Sequence, residues 1–249
     1  MPSGIASLAS SGFTHDDFIT GFLLAHLNVL RDKLGEHYPD IFIIMGNDDG
    51  RYEEAALIKA GADGYWNYVH GKKVEFHGFD IYGYSYVPPT PFLLKDWEKY
   101  DVSRYVDPGC ISPEDGKHSF PVAHNNKKYQ TIHEDLIALA GENNLSRAIF
   151  LFHSPPYKTK LDRAALDGQM VDHVPVDVHI GSIAIQRFIE DRQPYLTLHG
   201  HVHESTSLTG CWRDKIGETE MFSAAHDGPE LVIIQFNIED LGSACRIII

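Results

Sequence analysis

Two histidines one residue apart, His201 and His203, follow Gly200 directly after Leu196, Thr197 and Leu198, a short apolar and β-branched run of the kind that forms a buried strand. Side chains two apart share a face while a strand lasts, but where a glycine ends it the imidazoles can diverge toward different atoms. That would suit a metal pair, although an isolated His-x-His is more often an ordinary polar turn. Two other strand ends add weight. Residues 41–45 are an unbroken apolar run that stops at Gly46, Asn47, Asp48, Asp49 and Gly50, and residues 148–152 are a second run, stopped by His153, Ser154 and two prolines. Loops at one edge of a sheet converge, so an amide oxygen from Asn47 and imidazole nitrogens from His153, His201 and His203 are expected to face one space. Such donors suit the divalent ions of Mn, Fe, Co, Ni or Zn.

The elements that must position these groups alternate between helix and strand. Residues 16–34 carry apolar side chains at Phe18, Phe22, Leu23, Leu27 and Leu30, the spacing of an amphipathic helix, with Asp16 and Asp17 near its start. Helices are also expected over residues 52–61, 131–140 and 182–191, and strand pairs over 72–86 around Gly78 and Gly83. Residues 221–224, 231–237 and 246–249 read as closing strands without helices between them, which predicts a mixed sheet. Residues 87–126 hold six prolines among several aromatics and are expected to form a long loop or lid.

The 249 residues suit one α/β domain, and no apolar run approaches the roughly 20 residues that span a bilayer. A formal charge of −14 opposes broad attraction to nucleic acid or anionic membrane. Three widely spaced cysteines form neither a zinc ribbon nor a disulfide framework. Together with a start that lacks the pattern of a secretory signal, they point to the cytoplasm.

Taken in order, Gly46-Asn47-Asp48-Asp49, His153 and Gly200-His201-Val202-His203 resemble the later blocks of the calcineurin-like metallophosphoesterases. The signature of that family runs Asp-x-His, Gly-Asp-x-x-Asp, Gly-Asn-His-Asp/Glu, a strand-terminal His and Gly-His-x-His. The resemblance implies an α/β fold, a four-layer sandwich of two mixed β-sheets flanked by helices. It implies two divalent metal ions, with Asn47, His153 and His201 holding one and His203 helping to hold the other. The activity it implies is hydrolysis of a phosphomonoester or phosphodiester by metal-activated water, on a small phosphate-ester substrate. The family also includes scaffolds in which the fold persists without a working metal centre, so a non-catalytic interaction module is the alternative.

Two departures stand out. No Asp-x-His or Gly-Asp-x-x-Asp precedes Gly46, and the nearest candidates, His15, Asp16 and Asp17, stand ahead of a helix. The expectation is an N-terminally shortened form without its first strands, with a weak or absent dinuclear centre and apolar surface that a homo-oligomer could cover. Second, Asp48 stands where many relatives have the histidine that protonates the leaving group. A carboxylate beside cations is normally ionised and a poor acid, so substrates with good leaving groups are expected to be preferred.

Other residues read more blandly. Arg51 could contact a phosphate or pair with Glu54. Ser154 lacks a Gly-x-Ser-x-Gly elbow and reads as a turn serine. His199 reads as a hydrogen-bonded core group, the loop of Asp172, His173, Asp177 and His179 as solvated surface, and His226 with Asp227 as a turn.

Overall fold

The computed structural model describes residues 18–122 and 129–249, so His15, Asp16 and Asp17 lie outside the described residues. The chain divides into two compact units: the described residues through Ile43 together with Tyr52–Tyr68, and Ile44–Arg51 together with Val69–Ile249.

In the first unit π-helical turns over Phe18–Leu23 run into α1 (Leu24–Leu34), so the expected helix forms from residue 18 onward. Of its expected apolar stripe, Phe18, Phe22 and Leu30 are exposed and Leu23 and Leu27 half-buried, while Ile19 is buried. The run at 41–45 pairs over only two residues, β1 (Phe42–Ile43). A 3-10 turn over Arg51–Glu53 leads into α2 (Glu54–Ala62), which buries Leu57 and Ala60. The Trp66 indole N–H donates to Leu57 O at 2.9 Å. β2 (Asn67–Tyr68) then pairs with β1 in parallel. The ribbon is short because the chain turns straight after it, Lys72 N–H donating to Val69 O. The run at 41–45 is thus not a strand of the main sheet.

The second unit is mixed α/β. β3 (Lys73–Phe76) and β4 (Phe79–Tyr84) form a hairpin around His77 and Gly78, both with positive φ (48° and 77°), the turn that matches strand twist. α3 (Ile132–Ala140) begins at a reciprocal cap: Thr131 accepts from Glu134 N–H while the Glu134 carboxylate accepts from Thr131 N–H. β5 (Ala148–Phe152) is almost wholly buried, as its continuous apolar sequence requires. A small hairpin, β6 (Met170–Val171) with β7 (Val174–Pro175), precedes α4 (Ile183–Arg192). The Ser182 hydroxyl oxygen caps α4 by accepting from Ile185 N–H, and Asp101 accepts from Ile183 N–H at 2.7 Å. Phe188 of α4 meets Phe150 and Phe152 edge-on at 5.1 and 6.2 Å, and α3 packs beside α4.

There follow β8 (Leu196–His199), the short α5 (Ser205–Thr209), β9 (Arg213–Ile216) and β10 (Thr219–Ser223). The main sheet has the order β3-β4-β5-β8-β10-β9. Its four inner strands are parallel, and an antiparallel partner stands at each edge. β11 (Val232–Asn237) and β12 (Asp240–Ile248) pair with each other, leaving Ile233, Ile247 and Ile248 exposed. This is a mixed sheet with helices. Among the described residues it does not close into a barrel, and no helix there is long and apolar enough to cross a membrane.

The described part of the expected loop, residues 87–122, has no helix or paired strand, only isolated bridges such as Val87 with Glu98. It is nonetheless rooted: Val87, Trp97 and Tyr100 are buried, and the Lys95 ammonium meets the Glu98 carboxylate at 2.5 Å with both side chains out of solvent.

Candidate functional site

Asn47 stands in a tight turn in which Asp49 N–H donates to Gly46 O, and the chain before it is held by Met45 N–H donating to Ser85 Oγ at 3.2 Å. His153 leaves the end of β5, where its N–H donates to Tyr84 O, and His201 follows β8, where Gly200 N–H donates to His153 O. These segments, 106 and 154 positions along the chain from Asn47, bring three side chains together. The His153 Nε2–H and His201 Nδ1–H groups both donate to Asn47 Oδ1, at 2.8 and 2.9 Å, and the two rings stand 5.2 Å apart. Asn47 Nδ2 donates to Asp48 Oδ1 at 3.2 Å, which fixes the end of the amide that faces the imidazoles.

The backbone is shaped for this meeting. A Cβ on Gly46 would stand 2.7 Å from His153 Cε1, so glycine gives the ring its place. His201 adopts a left-handed φ of 69°, and Val202 N–H donates back to Gly200 O, a γ-turn of the strained hand. The His201 imidazole is held down at about 3, by burial first and then by the His153 and His203 charges, and the His153 imidazole at about 4, by burial first and then by the His203 charge. Both rings are therefore neutral near neutral pH, the form in which imidazole offers a lone pair.

The remaining expected residues lie differently. His203 is exposed and makes no hydrogen bond to Asn47, His153 or His201. Asp48 is exposed and touches the site through Asn47. Arg51 donates from Nη1 to Tyr86 OH at 2.8 Å and lies over the Trp97 ring at 5.0 Å. His199 is buried and doubly bonded: its Nδ1–H donates to Ser154 O at 3.0 Å and its Nε2 accepts from the Thr197 hydroxyl at 2.7 Å. It thus ties the β5 tip to β8. His179 meets the buried Asp162 at 2.8 Å, Asp177 accepts from Tyr157 OH, and His226 pairs with Glu230. Half-buried His70, packed edge-on against Tyr86 and Trp97, carried no signal in the sequence, because its neighbours are distant along the chain.

Two donors about 2.1 Å from one ion and about 90° apart stand about 3.0 Å from each other. The separations of His153 Nε2 and His201 Nδ1 from Asn47 Oδ1 are of that size, so either ring could share an ion with the amide oxygen if it carried its proton on the other nitrogen. Among the described residues no three His, Cys, Asp or Glu side chains form a metal-holding group, and no carboxylate is among these donors.

No family model matches the chain. A stretch of 78 residues, 30% of this chain and 30% of the relative, is 36% identical to an uncharacterized protein of Methanocaldococcus jannaschii, MJ1162. Two solved structures are similar in outline. One has a TM-score of 0.47 and 16% identity over 82% of this chain, which spans 65% of that structure. The other, TT1561 of Thermus thermophilus, has a TM-score of 0.46 and 14% identity over 90% of this chain and 77% of its own.

Proposed function

We propose that this chain is a metal-dependent phosphoesterase of the calcineurin-like kind, acting on a phosphomonoester or phosphodiester. The observation that carries the reading is the meeting of His153 Nε2 and His201 Nδ1 on Asn47 Oδ1, drawn from three separate chain segments. The fold belonging to this reading is the four-layer sandwich, and the six-stranded mixed sheet supports one of its two sheets. A bound divalent ion would supply Lewis-acid polarisation of a phosphoryl oxygen and a lowered water pKa. The chain's own residues do the positioning. Asp48 aligns the Asn47 amide, Gly46 and the His201 turn set the two imidazoles, and His199 holds the strand tip that bears His153.

The rival reading is a non-catalytic scaffold of the same fold. It is favoured by the lack of a carboxylate among the donors and by the exposed position of His203. One experiment decides between them: metal content after Mn²⁺ loading, together with turnover of mono-aryl and bis-aryl phosphates. Uptake near one ion per chain with turnover abolished by His153→Ala supports the enzyme. Absence of both uptake and turnover rejects it in favour of the scaffold.

A further inference from the structure

The turn that carries Asn47 is closed on itself. Gly46 N–H donates to the Asp49 carboxylate at 2.6 Å while Asp49 N–H donates to Gly46 O, so residues 46–49 form a ring of fixed shape. The ring does not by itself fix where Asn47 stands against the imidazoles. That is set where the chain enters and leaves. On entry Met45 N–H donates to Ser85 Oγ, and on exit Arg51 N–H donates to Asp96 Oδ2 at 2.8 Å.

Asp96 belongs to the 87–122 loop and is 2% exposed. A carboxylate out of water is costly unless its oxygens are engaged, and here both are. Oδ1 accepts from Ser119 N–H at 2.8 Å, with the His118 Nδ1 atom 3.8 Å away, and Oδ2 accepts from the Ser119 hydroxyl as well as from Arg51 N–H. These donors lie 45 positions before Asp96 and 23 after it, so one carboxylate joins three segments. The Arg51 side chain is held separately, on Tyr86 OH and over the Trp97 ring. What Asp96 fixes is therefore the backbone at position 51.

We propose that Asp96 is a positioning residue for the Asn47 centre. It pins the exit of the turn that aims Asn47 Oδ1, and through Ser119 it makes the seating of the 87–122 loop a condition of that aim. The aim concerns the chain's own hydrogen bonds, whereas its effect on a bound ion rests on the phosphoesterase reading.

Proton–nitrogen NMR of the full chain, in EDTA so that no metal takes part, tests the aim. His153 Nε2–H and His201 Nδ1–H, both donating to Asn47 Oδ1, are expected as slowly exchanging resonances. Asp96→Asn keeps the size of the side chain but turns an amide NH2 toward N–H donors, and is expected to speed exchange at both imidazoles at least tenfold. Ser119→Ala, at an exposed loop position, is expected to speed it severalfold, and decides the matter alone if Asp96→Asn does not fold. Ser223→Ala removes another buried hydroxyl at a strand end, which accepts from Ala225 N–H. It is expected to lower the urea midpoint without changing either exchange rate. Absence of the two resonances from the wild-type chain, wild-type exchange in Asp96→Asn or Ser119→Ala, or equal acceleration in Ser223→Ala overturns the proposal. Calorimetric titration with Mn²⁺ separates the two readings. Binding at least tenfold weaker in Asp96→Asn extends the positioning to the ion, and equal binding removes that extension. A wild-type chain that binds no Mn²⁺ defeats the phosphoesterase reading and leaves the exchange rates to decide the positioning.

Discussion

Asn47 Oδ1 accepts two imidazole N–H groups at once, so Asn47→Ala strands both in a largely desolvated place. A buried polar group without its partner costs about 1–3 kcal/mol, and the melting temperature is expected to fall accordingly. Asn47→Asp keeps acceptor oxygens and adds a charge that favours imidazolium, so its expected signature is a rise in the His153 and His201 titrations, read by NMR. Four histidines are held below their ordinary value of 6.5 chiefly by burial: His70 and His201 at about 3, His153 and His199 at about 4. A group depressed on folding contributes stability above its unfolded value and loses it as pH falls toward the folded one. Between pH 6.5 and about 4 unfolding therefore takes up protons, each worth up to about 1.4 kcal/mol per pH unit. Asp101 and Asp162, raised by burial, oppose this at the acid end. The urea midpoint is expected to fall at each step from pH 7.5 to 6.5 to 5.5, and a flat profile would contradict the assignment.

Among the elements, two glycines with similar clashes should behave differently. A Cβ on Gly83, in the second strand of the main sheet, would meet Val69 Cγ2 at 2.6 Å and the Val69 carbonyl at 2.7 Å, and that backbone cannot swing away. Gly83→Ala is expected to destabilise by about 1–3 kcal/mol in chemical unfolding. The three atoms nearest a Cβ on Gly46 all belong to the His153 ring, a side chain that can turn. Gly46→Ala is expected to cost no more than the lost His153–Asn47 bond, less than Gly83→Ala, while losing whatever binding needs His153 beside Asn47. β5, β8, α3 and α4 were legible because each carries a period or an apolar run bounded by its own cap or stop. β9, with Arg213, Asp214 and Lys215, was not, since an edge strand half in water shows no such run and forms by pairing with β10. The convergence of Asn47, His153 and His201 was legible for the same reason, each following an apolar run. The exposure of His203 was not, because it depends on how the γ-turn at His201 aims the next residues.

For the molecule as a whole, the sequence indicated mixed α/β architecture, but the division of the run at 41–45 between a two-residue ribbon and the turn beyond it depended on partners remote in sequence. Residues 87–122 looked like detachable surface, and composition could not reveal that Lys95 and Trp97 are buried. Limited trypsin digestion, followed by mass spectrometry, is therefore expected to spare the bonds after Lys95 and Lys99 while the fold is native.

The segment is anchored by Trp97 and the Lys95–Glu98 pair, while Phe92, Leu93 and Tyr105 stand out in solvent. Sequence drift can alter the crest of this region freely, whereas changes at its root would disturb Tyr86 and the packing around His70 at the same time. Any diversification of what the neighbouring surface accepts is thereby channelled to those outer positions, and a library randomised there should yield folded variants far more often than one randomised at 95–100.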